Sequence, residues 1–358
     1  MILQENISLA PLTTFGVGGE ARYFAVAESF EEVIEALDFA RARALPVFVL
    51  GGGSNILVAD SGFDGLVLSL HITGIAFEKK ENKVLVTVGA GVVWDEFVEW
   101  SIAQKFGGLE CLSGIPGTVG GAVVANLGAY GAQASDTFVS AEVLDKNSEG
   151  NAMRIFKNDE CDFSYHDSSF SHASGRYLVL RATFALSTEL PVKISYRDNR
   201  FDLAALAAES GRAPTQSDVR NEILKMRGEK GVLQSSYKSA GSFFHMPFVS
   251  AEKYAEVLAR AQSLDAEKEE KLRPWAWKQP DGSYKIAAGF LLEYTEFQKG
   301  YARGGAGISP KHTLAIINVG GATARGIAQL ARDMQESVER IFGIQLEREV
   351  EYVGAVEQ

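Results

Sequence analysis

Two glycine runs are the first places in this 358-residue chain where residue type and spacing point to chemistry. Gly51-Gly52-Gly53-Ser54-Asn55 follows directly on the apolar strand pattern Val47-Phe-Val-Leu50. Ser113-Gly114-Ile115-Pro116-Gly117-Thr118-Val119-Gly120-Gly121 opens a second glycine-rich stretch that continues to Gly131. Glycine weakens regular elements, so a run of it is kept where the chain needs positive φ or where a ligand approaches main-chain amides closely. The chemistry on offer is binding of an anion, phosphate above all, by oriented N–H groups. The same residues also suit plain turns between strands. Neither dinucleotide fingerprint nor P-loop is present, since no helix pattern follows Gly53 at once and no Gly-Lys-Ser/Thr occurs.

The elements that must position these runs are legible in outline. Ser29-Phe-Glu-Glu32 is a capping box at the start of a helix whose apolar positions are Val33, Leu37, Ala40 and Ala44. Leu66–Leu70, Val84–Val88 and Tyr177–Leu180 read as strands, and Trp94, Phe97, Val98 and Ile102 form one face of a helix. Further on, Ser217 is placed to cap a helix with Val219, Ile223 and Met226 inward, and Arg227 and Lys230 fall just past its last turn. Residues 250–272 read as helical and heavily charged. A last helix carries Ile327, Leu330, Met334, Val338 and Ile341 and stops at Gly343; a strand, Ile344–Tyr352, then alternates apolar residues with Glu347, Glu349 and Glu351.

Composition narrows the function classes. With 46% hydrophobic and 23% charged residues the chain is an ordinary globular one, long enough for two or three domains. A net charge of −11 and the lack of any basic stripe argue against a nucleic-acid-binding surface, though not against a small anion held by amides. No apolar run reaches membrane-spanning length, and the N-terminus lacks the basic and apolar parts of a signal peptide, so no membrane association and a cytoplasmic location are expected. Cys111 and Cys161 exclude a disulfide framework, and His71, His166, His172, His245 and His312 lack metal-ligand spacing, so no metal is expected.

Taken in order, Thr13-Thr-Phe-Gly16, Leu50–Asn55, Gly89-Ala-Gly91, Ser113–Gly131, Asp162–Ser168, Met226-Arg-Gly-Glu-Lys230, Ala240-Gly-Ser-Phe-Phe244, His312-Thr-Leu314 and Leu346-Glu-Arg-Glu-Val350 resemble the UDP-N-acetylenolpyruvoylglucosamine reductase family over nearly the whole chain. The resemblance implies an α+β fold. It consists of a two-part FAD-binding module of the vanillyl-alcohol-oxidase-like type (1–65 and 66–200) and a smaller α+β substrate-binding domain (201–358), whose last strand, 344–358, returns to the active site. It implies FAD as cofactor, NADPH as co-substrate, and a UDP-sugar substrate whose enolpyruvyl double bond is reduced for peptidoglycan synthesis, with no obligate protein partner. Carried over by position, Gly51, Gly52, Gly53, Ser54, Asn55, Gly114, Ile115, Pro116, Gly117, Gly120, Gly121 and Arg227 would bind FAD. Tyr165, Tyr196, Lys230 and His312 would bind substrate, Ser242 would give the proton, and Glu349 would help stabilise the intermediate.

Three departures from the family pattern stand out. The family's Tyr-Arg-Asp-Ser is Tyr165-His166-Asp167-Ser168 here, so His166 takes the place of an arginine that contacts the substrate carboxylate. Imidazole lacks the guanidinium fork and is only partly charged near neutral pH. Phe-Phe-Lys-Asn-Pro of many members is Phe243-Phe-His-Met-Pro247, and Val124-Ala125 stands where Ile-Gln is frequent. Two alternatives therefore stand beside the reductase: a flavin-dependent oxidoreductase of the same fold acting on another small molecule, and a catalytically weakened flavin or nucleotide binder.

Overall fold

A computed structural model describes residues 1–148, 151–173, 175–188, 211–233 and 236–356. The chain forms two compact units that interleave along the sequence, one of residues 1–7, 21–53 and 64–228, the other of residues 8–20, 54–63 and 229–358.

In the first unit, Ser29 caps the helix Phe30–Ala42 by accepting from the Glu32 N–H at 3.3 Å. Glu32 reaches back one residue further than a capping box requires, to the Glu28 N–H at 2.8 Å, and the chain's N-terminal ammonium pairs with it. The helix lays Val33, Ala36, Leu37 and Ala40 against a four-stranded sheet in the order Ile2–Ser8, Glu20–Ala27, Phe63–Leu70, Val47–Leu50, the last two parallel. A five-stranded antiparallel sheet follows, in the order Met153–Lys157, Phe138–Asp145, Tyr177–Ser187, Lys83–Gly89, Ile75–Lys80. Its strands alternate as a sheet buried on both faces must. Leu144, Leu178 and Leu180 join the core under helix Phe30–Ala42, while Val143, Val179 and Phe184 join a second core around Trp94, Phe97 and Leu112.

The helix Trp94–Ala103 has the apolar face its spacing predicts. The helix Gln216–Lys230 departs from expectation at both ends. Ser217 lies inside its first turn, and the capping is done by Thr215 and Asp218, whose backbone amides and side chains bond reciprocally at 2.8 and 3.3 Å. Arg227 and Lys230 lie within its last turn rather than beyond it.

The second unit is built on one large core that gathers Phe15, Leu57, Phe243, Phe244, Leu291, Ile316 and the inner face of helix Ala324–Phe342. That helix ends at Gly343 in the left-handed region, as expected. The charged helical stretch is two helices, Ala251–Leu264 and Ala266–Leu272, because Asp265 ends one and caps the other. The terminal strand is far shorter than its alternation suggests. Only Glu351–Val353 forms a ladder, parallel to Ile56–Val58, although Ile344, Leu346 and Val350 are buried as predicted. Among the described residues no helix is long and apolar enough to cross a membrane.

Trp94 is fully buried, donates its indole N–H to the Leu112 carbonyl at 3.1 Å and packs edge-on against Phe97 and Phe184. Trp94→Ala is expected to lower stability by about 3–5 kcal/mol, measured by urea denaturation.

Candidate active site

In the first unit the two glycine runs meet backbone to backbone. A Cβ on Gly52 would fall 2.6 Å from the Gly117 Cα, so no side chain fits there, and Gly117 adopts a φ of +125°. Gly51, Gly52 and Gly121 are exposed, and Ile115, Pro116 and Gly117 are half-buried beside them. Thr118 caps the short helix Val119–Val124 by accepting from Gly121 N–H, and Gly120 packs where a Cβ would lie 2.9 Å from that of Ala90. Bare backbone at the surface, next to apolar Ile115, fits a large cofactor that carries phosphates.

A polar frame holds this loop. Gly114 has a φ of +71°. Its N–H donates to Asp95 Oδ1 at 2.6 Å, and its carbonyl accepts from Arg227 Nε at 3.1 Å. Arg227, expected to touch the cofactor, is thus engaged with the loop backbone; burial lowers its pKa, against the pull of Tyr130 and Asp95. Tyr165 and His166 occupy a tight turn in which Ser164 and Asp167 exchange backbone bonds, and their rings meet edge-on at 4.4 Å. His166 has a φ of +53°, a region that histidine tolerates better than most residues. Buried Asn126 fixes this turn by donating to the Ser164 carbonyl at 2.7 Å.

In the second unit the segment around Ser242 lies between two others. Phe243 N–H donates to the Leu314 carbonyl, Glu349 N–H to the Phe243 carbonyl and His245 N–H to the Glu347 carbonyl, each at 2.9 Å. These bonds bring Ser242, His312 and Glu349 into one neighbourhood from positions 70 and 37 residues apart. Ser242 Oγ and His312 Nε2 are 3.4 Å apart, and either can be the donor, depending on the imidazole tautomer. His312 is held neutral: burial, then the charges of Lys230 and Lys299, push its pKa down to about 4. Lys230 thereby falls within electrostatic reach of the Ser242–His312 pair.

The Glu349 side chain is 21% exposed, and burial pushes its pKa up to about 7 against the opposing charge of Lys285. Burial in turn lowers Lys285 to about 8. His245 Nδ1 stands 4.0 Å from Glu349 Oε2. Of the acidic alternation at the C-terminus, Glu347 and Glu351 are exposed and Glu349 is half-buried; burial raises the pKa of Glu351 as well.

Asn55 bears on Glu349 directly. Its side-chain amide donates to the Glu349 carbonyl at 3.0 Å, and its own carbonyl accepts from Glu351 N–H at 3.0 Å. A residue read as a cofactor contact is therefore tied to the backbone that carries Glu349, and Ser54 accepts from Thr14 Oγ1 through its carbonyl at 3.5 Å. Lys285 was missed in the sequence because it reads there as the first residue of an apolar element. A lysine between Tyr284 and Ile286 in a half-buried strand is the signal that was available. Tyr196 lies outside the described residues.

Comparison with known proteins decides the family. The model described as an FAD binding domain matches residues 21–154, and the one described as the UDP-N-acetylenolpyruvoylglucosamine reductase C-terminal domain matches residues 233–353. The UDP-N-acetylenolpyruvoylglucosamine reductase of Thermobifida fusca (strain YX) is 37% identical, over 98% of this chain and 97% of its own length. The chain belongs to the UDP-N-acetylenolpyruvoylglucosamine reductase family. The relative of the same name from Pseudomonas fluorescens (strain Pf0-1) is 38% identical over 97% of this chain and 98% of its own. The solved UDP-N-acetylenolpyruvylglucosamine reductase of Thermus caldophilus, 26% identical, superposes with a TM-score of 0.64 over 98% of this chain and all of that one. The α+β architecture, with an FAD-binding module followed by a family-specific C-terminal domain, is accordingly that of the family.

The raised pKa of Glu349 has a consequence for stability. The folded state holds this proton more tightly than the unfolded one, so the stability it contributes is full below the ordinary carboxylate range and is lost as pH rises through about 7. Glu349→Gln removes that loss. The variant is expected to lose less stability than the parent between pH 4.5 and pH 8 in urea denaturation.

Proposed function

We propose that this chain is the NADPH-dependent, FAD-containing reductase that converts the enolpyruvyl ether of UDP-N-acetylglucosamine to UDP-N-acetylmuramate for peptidoglycan synthesis, working in the cytoplasm. The observation that carries the reading beyond family membership is the convergence of Ser242, neutral His312 and a Glu349 with raised pKa in one unit. Gly51–Gly53 and Gly114–Gly121 would hold FAD, which would supply the hydride chemistry with NADPH as reductant.

Hydride arrival at the terminal carbon of the double bond leaves negative charge on the neighbouring carbon and its carboxylate. Such an intermediate is strongly basic, and preorganised partners for its charge are usually the largest catalytic contribution. Glu349, with a pKa near neutrality, can present a protonated oxygen to that carboxylate at physiological pH, and Lys285 adds a positive charge on the same side. A fully ionised carboxylate in the same place would repel the charge it is meant to stabilise.

Ser242 gives its proton to carbon. A hydroxyl is a weak acid, but it suffices for so basic an acceptor. His312, kept neutral by burial and by Lys230 and Lys299, can in its Nε2–H tautomer donate to Ser242 Oγ, which leaves the hydroxyl's own proton free for the substrate carbon and gives the oxygen a hydrogen bond once that proton has gone. In this reading Lys230 binds the substrate's phosphates, Tyr196 acts on its uridine nucleotide, Tyr165 binds the substrate, and His166 stands in for a carboxylate-binding arginine. His166 is half-buried and its backbone is left-handed, with a φ of +53°.

The test of the whole reading is NADPH absorbance with purified protein and UDP-N-acetylglucosamine enolpyruvate; absence of substrate-dependent oxidation would overturn it. Ser242→Ala is expected to leave flavin reduction by NADPH intact and to slow reoxidation by substrate by ~10²-fold or more, in stopped-flow absorbance. His166→Arg is expected to keep or raise turnover and to lower the KM for the enolpyruvyl substrate, in steady-state kinetics.

A further inference from the structure

The loop that carries Gly114 is held by a charge pair that the proposed mechanism leaves unused. Asp95 lies in the first turn of helix Trp94–Ala103, and Arg220 lies in helix Gln216–Lys230, 125 residues away. Arg220 grips the carboxylate with both terminal nitrogens, at 2.5 Å to Oδ1 and 2.9 Å to Oδ2. The same Oδ1 accepts from the Gly114 N–H. One carboxylate thus joins two helices to a loop residue with left-handed backbone.

The surroundings make this contact a positioning device. The pair is shielded: the Arg220 side chain is 12% exposed and that of Asp95 31%. Burial raises the Asp95 pKa, but the bonds from Arg220 and Gly114 outweigh it and the net shift is downward, so the carboxylate stays charged. The same helix start is tied to the loop at two more points, Trp94 N–H to the Gly117 carbonyl at 3.0 Å and the Trp94 indole to the Leu112 carbonyl. From the other side Arg227, seven residues after Arg220 on its helix, accepts the task of binding the Gly114 carbonyl. Both polar groups of the Gly114 peptide neighbourhood are therefore fixed by side chains from these helices, and the half-buried backbone of Gly114–Gly117 is set before any ligand arrives.

We infer that Asp95 and Arg220 are positioning residues for FAD: their ion pair preorganises the Gly114–Gly117 backbone so that binding does not have to order it. This rests on the reading of the glycine runs as the flavin site. Loop ordering is one of the main costs of association, and a loop fixed in advance binds more tightly with no new contact to the ligand. Bidentate guanidinium–carboxylate geometry is what such a role requires, since a lysine ammonium cannot fix the carboxylate plane.

The experiment measures FAD release from the holoprotein after dilution, by recovery of flavin fluorescence, in the parent, Asp95→Asn, Arg220→Lys, Arg220→Gln and the double variant Asp95→Asn/Arg220→Gln, with far-ultraviolet circular dichroism and the urea midpoint of each flavin-free protein. Release is expected to be ~10-fold or more faster in Asp95→Asn and Arg220→Gln, the scale of about 1.4 kcal/mol, and faster in Arg220→Lys despite its retained charge. The double variant is expected to release no faster than the faster single one. Parent-like release in both single variants, additive effects in the double variant, or a urea midpoint that falls in step with flavin loss would each overturn the inference. A parent protein that holds no FAD would instead overturn the flavin reading itself.

Discussion

The neighbourhood of Ser242, His312 and Glu349 depends on one buried segment. Phe243 and Phe244 are almost completely excluded from solvent, and their burial in the core of the second unit fixes the backbone on either side. Because Phe243 uses its N–H on Leu314 and its carbonyl on Glu349, the chain at 243 is the spacer between His312–Leu314 and Glu347–Glu349. Ser242 is half-buried at the edge of that core, and the backbone that carries it is held by the two phenylalanines beside it. The apolar packing is the anchor, and the polar chemistry is what the anchored backbone presents.

Electrostatics in this unit follow from the same burial. His312 and Glu349 both have pKa values moved toward the neutral form, one downward and one upward, because desolvation opposes whichever form is charged. Lys230 and Lys299 deepen the shift at His312, while Lys285 moderates it at Glu349. The pattern, a neutral imidazole beside a hydroxyl and a carboxyl poised near pH 7, is what reduction of a carboxylate-bearing double bond calls for, since its intermediate gains a charge that the resting site must not already contain.

The first unit meets a different demand, an anion-rich cofactor in a chain of net charge −11. In the proposed reading it does so with glycine backbone, and its charged side chains shape that backbone: Asp95, Arg220 and Arg227 act on Gly114. Oriented amides carry no net charge to be repelled or screened, so overall acidity is no obstacle.

The sequence alone determined the elements with strong local signals. Strand Val47–Leu50, the faces of helices Trp94–Ala103 and Ala324–Phe342, and the stop at Gly343 follow from periodicity and from glycine's freedom at positive φ, which act within a few residues. The glycine runs and the family motifs were also legible, since they are contiguous. Local signals erred where two of them competed: Ser217 looks like a cap, but Thr215 and Asp218 bond each other, and the alternation after Gly343 looks like a long strand, though among the described residues only Glu351–Val353 forms a ladder and Arg348 makes an isolated bridge with Phe244. Tertiary structure decided the rest. Nothing local distinguishes Glu349 from Glu347 or Glu351, or reveals that Asn55 secures Glu349 and that Asp95 meets Arg220 across 125 residues. Those assignments depend on which distant segments share a core, and burial, the source of both the ion-pair geometry and the shifted pKa values, is a property of the packed chain rather than of any stretch of it.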